Sequence, residues 1–193
     1  MVAANMAHWY GSGQSAMVLW PFAALFGGLA QFLAGMWAYK ARDGVATAMH
    51  GMWGSFWMAF GILWLLVAAG KVTVPAGGAA FPELGFWFIV LAAITWAGTA
   101  AAAAESTVIA TVLGFLAAGS TVNAIAELGG VEGLRILAGW LFIISAVIAW
   151  YAATALMVNA ASGRKIMSLG SKRKVADAQI HPALGEPGVM RGQ

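Results

Sequence analysis

Few side chains in this sequence could carry out acid–base or covalent chemistry. His8, His50 and His181 are the histidines, they are far apart, and none sits in a His-x-x-Glu-type spacing. There is no cysteine, so disulfides, thiolate metal sites and thiol nucleophiles are excluded. General acid–base work needs positioned carboxylates or histidines, and no pair of carboxylates falls deep inside an apolar stretch. The glycine pairs Gly27-Gly28, Gly77-Gly78 and Gly129-Gly130 do not match the spacing of a phosphate-cradling loop. No enzyme activity, cofactor or metal is expected. The polar groups left inside apolar stretches are Gln31, Ser55, Thr95, Thr99, Thr111, Ser120, Asn123 and Ser145. Serine and threonine can bond back to their own helix. Gln31 and Asn123 are harder to satisfy in lipid and are expected to face a bundle interior or a wet cavity, either as interhelical bonds or as contacts to a solute. Glu105 reads as a carboxylate at a tight turn, and His50 as a solvated residue at a helix start.

The elements around these residues are set by composition. Hydrophobic residues make up 62% of the 193 and charged residues 9%, against roughly 45–50% and about 25% in soluble domains. A soluble enzyme or a nucleic-acid binder of this size would need more polar surface, and the basic residues form no patch interleaved for nucleic acid. The charge-free windows before Lys40, from Asp43 to Lys71, Glu83 to Glu105, Glu105 to Glu127 and Arg135 to Arg164 each exceed the roughly 20 apolar residues that cross a bilayer. They predict an all-α integral membrane protein with full spans at about 16–39, 48–69, 84–104, 106–126 and 135–158. Together with residues 1–10 these form the expected bundle, 1–160. From 161 to 193 a basic, disordered tail is expected. Residues 1–10 are apolar and stop at Gly11-Ser-Gly13, which reads as the outer remnant of a sixth helix lost by truncation or by a misplaced start. Lysines and arginines cluster at 40–42 and beyond 163. That places the C-terminus in the cytoplasm of a plasma (inner) membrane protein. Small residues three or four apart at Gly28–Gly35, Gly51–Ser55 and Gly98–Ala100 predict close helix packing.

Two of these small-residue stretches also carry a likeness. Phe26-Gly-Gly-Leu-Ala-Gln-Phe-Leu-Ala-Gly-Met-Trp37 and Trp53-Gly-Ser-Phe-Trp57 resemble the early motifs of the acetate uptake transporter family, which includes the succinate–acetate permeases. Asn123 and Ala138-Gly139-Trp140 match the family's last third, so the resemblance covers most of 20–160. It implies six helices per protomer, a cyclic homo-hexamer, and a path through each protomer for acetate or a similar small carboxylate, coupled to protons. The family's first-helix motif and its aromatic constriction residue are absent here. Trp53 stands where the family has a constriction tyrosine, and Leu113 falls on its constriction leucine. Gln31, Ser55 and Asn123 fall on polar positions and are the expected solute-binding groups. A truncated paralogue that assembles without transporting, or a membrane sensor of the same fold, is the alternative reading.

Overall fold

The computed structural model describes residues 1–12, 14–75 and 80–171. Among these residues the regular structure is helical, apart from one isolated bridge between Ser106 and Ser171. Five helices are long and apolar enough to cross a membrane: Met17–Lys40, Gly44–Ala68, Pro82–Ala102, Thr107–Gly129 and Glu132–Ser162. Large apolar side chains such as Phe26 and Trp150, 81% and 75% exposed, point outward, where lipid rather than water suits them. The chain is an all-α integral membrane protein. Its described residues divide into two compact units, one containing Ser12–Thr73 and the other Met1–Gly11 with the chain from Val74 to residue 171.

The first of these units is a helical hairpin. Its leading arm is one continuous run made of α2 (Ser15–Pro21), a π-helical stretch (Phe22–Ala30) and α3 (Gln31–Lys40). Pro21 has no N–H to give to the ladder, and the winding widens at the residue after it. Lys40, Ala41 and Arg42 close the arm, with Arg42 held at φ 57°. The returning arm is α4 (Gly44–Ala68). It starts four residues before the predicted span because Asp43 caps it, its carboxylate accepting the Ala46 N–H at 2.8 Å.

Glycines join the two arms backbone to backbone. A methyl group built on Gly61 would lie 2.6 Å from the Ala24 nitrogen, on Gly28 2.7 Å from the Met58 nitrogen, on Gly54 2.5 Å from the Phe32 nitrogen, and on Gly35 2.8 Å from the Gly51 nitrogen. Paired positions descend along one helix as they rise along the other, which is the register of an antiparallel pair. Real Cβ atoms do not approach backbone that closely, so the arms would have to separate. Gly35→Ala is expected to cost about 1–3 kcal/mol through overpacking. Gly51→Ala points its methyl into open space and is expected to be neutral or slightly stabilising. Thermal unfolding of the two variants in detergent checks the contrast.

In the second unit, α5 (Pro82–Ala102), α6 (Thr107–Gly129) and α7 (Glu132–Ser162) run up, down and up. Pro82 occupies the first turn of α5, where its missing N–H costs nothing. Ser106 caps α6, and Gly130 and Gly163 take the left-handed conformation that ends α6 and α7. Gly85 admits Leu128, and Gly119 admits the Phe142 ring. The short α1 (Val2–Met6) leads to Ala7, whose backbone lies against Gly139, where a methyl group would meet it at 2.7 Å. Trp9 then meets Trp140 edge-on at 5.3 Å.

Residues 163–171, expected at the start of a disordered tail, fold back on this unit. Asn159 Oδ1 accepts the Ile166 and Met167 N–H groups, the Tyr151 hydroxyl donates to the Ser168 carbonyl, and the Ser106 hydroxyl donates to the Leu169 carbonyl. The helix also runs to Ser162, past the predicted end at 158. His181 and the remaining tail, 172–193, lie outside the described residues, as does Gly77-Gly78.

Candidate functional site

Of the five residues predicted to meet a solute, three belong to the hairpin. Gln31 sits where the π-helical stretch passes into α3 and is partly buried. Trp53 lies in the middle of α4 and is 3% exposed. Its ring meets Phe56 at 5.4 Å and Trp57 at 6.5 Å. Ser55 is two residues further on, about 200° around the helix, so α4 does not bring it to the same face as Trp53. Ser55 is exposed, and its hydroxyl donates to the Gly51 carbonyl at 2.8 Å. Its proton is committed to its own helix, which leaves only an acceptor oxygen.

The other two are on α6, in the second unit. Leu113 and Asn123 are both buried, at 7% and 1% exposure. Ten residues separate them, about 15 Å along the axis. Asn123 Oδ1 is shielded from solvent and has no hydrogen-bond partner among the described residues. An amide oxygen in that position costs free energy unless a donor reaches it.

The hydroxyls of the second unit behave as Ser55 does. Thr95 donates to the Leu91 carbonyl, Thr99 to Thr95, Thr111 to Thr107, and Ser120 to Leu116. Ser145 instead reaches across from α7 to the Val112 carbonyl of α6 at 2.9 Å. Hydroxyl protons spent on carbonyls leave oxygen acceptors behind. Glu105 is exposed in the short turn before α6, and His50 is exposed in the second turn of α4.

Sequence reasoning missed a charged cluster at the turn between α6 and α7. Arg135 Nε donates to Glu127 Oε1 at 3.0 Å and Nη2 to Glu127 Oε2 at 3.1 Å, while Nη1 reaches Glu132 Oε2 at 2.8 Å. Glu132 Oε1 in turn meets His8 Nε2 at 2.8 Å. The fork geometry makes the Glu127 pair strong, and Glu127 is only 6% exposed. The signal was present as opposite charges on either side of Gly129-Gly130, but Arg135 reads in sequence as an ordinary loop charge. Nearby, the Tyr10 hydroxyl donates to the Met1 carbonyl at 2.8 Å, and burial raises its pKa above the ordinary tyrosine value. Trp64, whose indole Nε1 is shielded from solvent without a hydrogen-bond partner among the described residues, was also missed. Among the described residues no group of three or more His, Cys, Asp or Glu side chains is placed to hold a metal.

Comparison with known proteins bears on this arrangement as a whole. The model of the GPR1/FUN34/yaaH family matches residues 5–166. A solved structure described as that of the bacterial acetate channel SatP is similar in fold, with a TM-score of 0.77 at 21% sequence identity over 88% of this chain and 90% of the other. No curated protein sequence matches the chain. The family match takes in both early glycine motifs, the Asn123 region of α6 and all of α7, and it agrees with the reading of the chain as a non-enzyme. The chain belongs to the GPR1/FUN34/yaaH family, the family of acetate transporters that its two early motifs resemble.

Proposed function

We propose that this protein is a membrane transporter or channel for acetate and related short carboxylates. The observation that carries the reading is the family match across residues 5–166. The likeness of the fold to a bacterial acetate channel supports it. Trp53 and Leu113 are proposed as constriction residues, each within its own unit, where bulk and dryness would pass only small solutes. A carboxylate entering dry surroundings loses its water and needs donors in exchange. The amides of Gln31 and Asn123 are proposed to supply them. Ser55 could offer only its oxygen, which suits the protonated acid rather than the anion.

That acceptor-rich character supports proton coupling: a solute carrying its own proton brings a donor for the hydroxyl oxygens and for Asn123 Oδ1. A homo-hexamer in a plasma membrane, with the C-terminus in the cytoplasm, completes the proposal. It follows from the family resemblance and from the distribution of lysine and arginine.

Purified protein in liposomes is expected to take up labelled acetate faster than empty liposomes. An inward proton gradient is expected to accelerate uptake if protons are coupled. Uptake no faster than that of empty liposomes overturns the transport reading. Uptake indifferent to an imposed gradient removes the coupling alone.

A further inference from the structure

On α4 four aromatic residues, Trp53, Trp57, Phe60 and Trp64, follow at spacings of four, three and four. That places them on one face of the helix. The rings touch in sequence: Trp53 and Trp57 at 6.5 Å, Trp57 and Phe60 at 5.5 Å, Phe60 and Trp64 at 5.7 Å. The stripe begins at Trp53, in the middle of the helix, and ends at Trp64, about 16 Å further along the axis and away from the basic turn at 40–42. Its last member carries an anomaly. The indole Nε1 of Trp64 is shielded from solvent and has no hydrogen-bond partner among the described residues. A buried tryptophan normally finds an acceptor for its N–H, and leaving that donor unpaired destabilises the fold.

The hydroxyls of α4 are already committed. The Ser55 hydroxyl is spent on Gly51 and the Thr47 hydroxyl on Asp43. Trp64 therefore holds an unused, directional donor at one end of an apolar aromatic strip whose other end is the proposed constriction. A group of that kind serves an oxygen acceptor that arrives and leaves. We infer that the Trp64 indole N–H is a hydrogen-bond donor to the carboxylate oxygen of the transported solute, and so a specificity-determining residue remote from the constriction. The inference rests on the transport reading above and adds a binding group to it.

Trp64→Phe keeps an aromatic ring and removes the N–H. Trp64→His keeps a ring N–H. Both variants and the unaltered protein are put into liposomes for acetate uptake, and into detergent for thermal unfolding. Trp64→Phe is expected to raise the KM for acetate about tenfold, the size expected when one hydrogen bond to a charged group is lost. Its unfolding midpoint is expected to stay level or rise, because an unpaired donor has been removed. Trp64→His is expected to recover part of the KM.

If the unaltered protein takes up acetate and Trp64→Phe does so with the same KM, the inference is overturned while the transport reading stands. A lowered midpoint in Trp64→Phe without a change in KM also overturns it, since the N–H would then serve the fold. If the unaltered protein takes up no acetate, the transport reading itself fails.

Discussion

Arg135→Met is expected to lower stability by about 3–5 kcal/mol, the cost of stripping the partner from a buried charge. Arg135 holds both oxygens of Glu127 at 3.0 and 3.1 Å. The Glu127 side chain is 7% exposed, against 41% for Glu132. Removing the guanidinium leaves the Glu127 carboxylate without compensation, whereas Glu132 can turn to water. The loss falls on the joint between α6 and α7, where the Phe81 N–H also donates to the Glu127 carbonyl at 2.8 Å. The measurement is the midpoint of thermal unfolding in detergent. The double variant Arg135→Met, Glu127→Leu is expected to recover most of the loss, because it removes both charges and their desolvation together. A single variant that unfolds within about 0.5 kcal/mol of the parent, the ordinary range for a surface change, would show that the pair is effectively solvated.

Trp53→Ala is expected to change which solutes pass. The ring is almost wholly buried against Phe56, and alanine removes most of its volume. If Trp53 narrows a solute path, uptake of butyrate relative to acetate should rise about tenfold. Discrimination of about 10–200-fold is what one methylene is worth in a fitted apolar pocket. Trp53→Phe should fall between the two. If Trp53 is instead part of a dry core, the ratio stays fixed and stability drops by about 3–5 kcal/mol, as for other large-to-small changes. Liposome uptake of both acids together with thermal unfolding separates the two outcomes.

Much of this protein could be read along the chain because its signals are local. The absence of ionised side chains over long windows is sufficient to mark spans, since a charge in hydrocarbon is costly at any position. Asp43 and Ser106 stand next to the helices they cap, and Gly130 and Gly163 end helices in the left-handed conformation that glycine adopts most readily. The family motifs were legible for the same reason, as runs of small residues at fixed intervals. Fold-back of residues 166–171 was hidden because its anchors, Ser106, Tyr151 and Asn159, lie up to 63 residues away. The π-helical winding after Pro21 was equally hidden, as a proline near a helix start ordinarily signals nothing unusual.

By itself, then, the amino-acid order determined the class, the five spans and the family, all of which depend on residue type and interval. Tertiary structure decided what each polar group has left to offer. Ser55 and Trp53 are neighbours in one motif yet lie on different faces of α4, and the Ser55 proton is already committed. Arg135 looks like a loose end until Glu127 is brought beside it. Trp64 looks like one more apolar ring until its N–H is found shielded and unpaired. Whether a donor is spent or free depends on atoms brought close by folding, and residue type and interval do not record that distance.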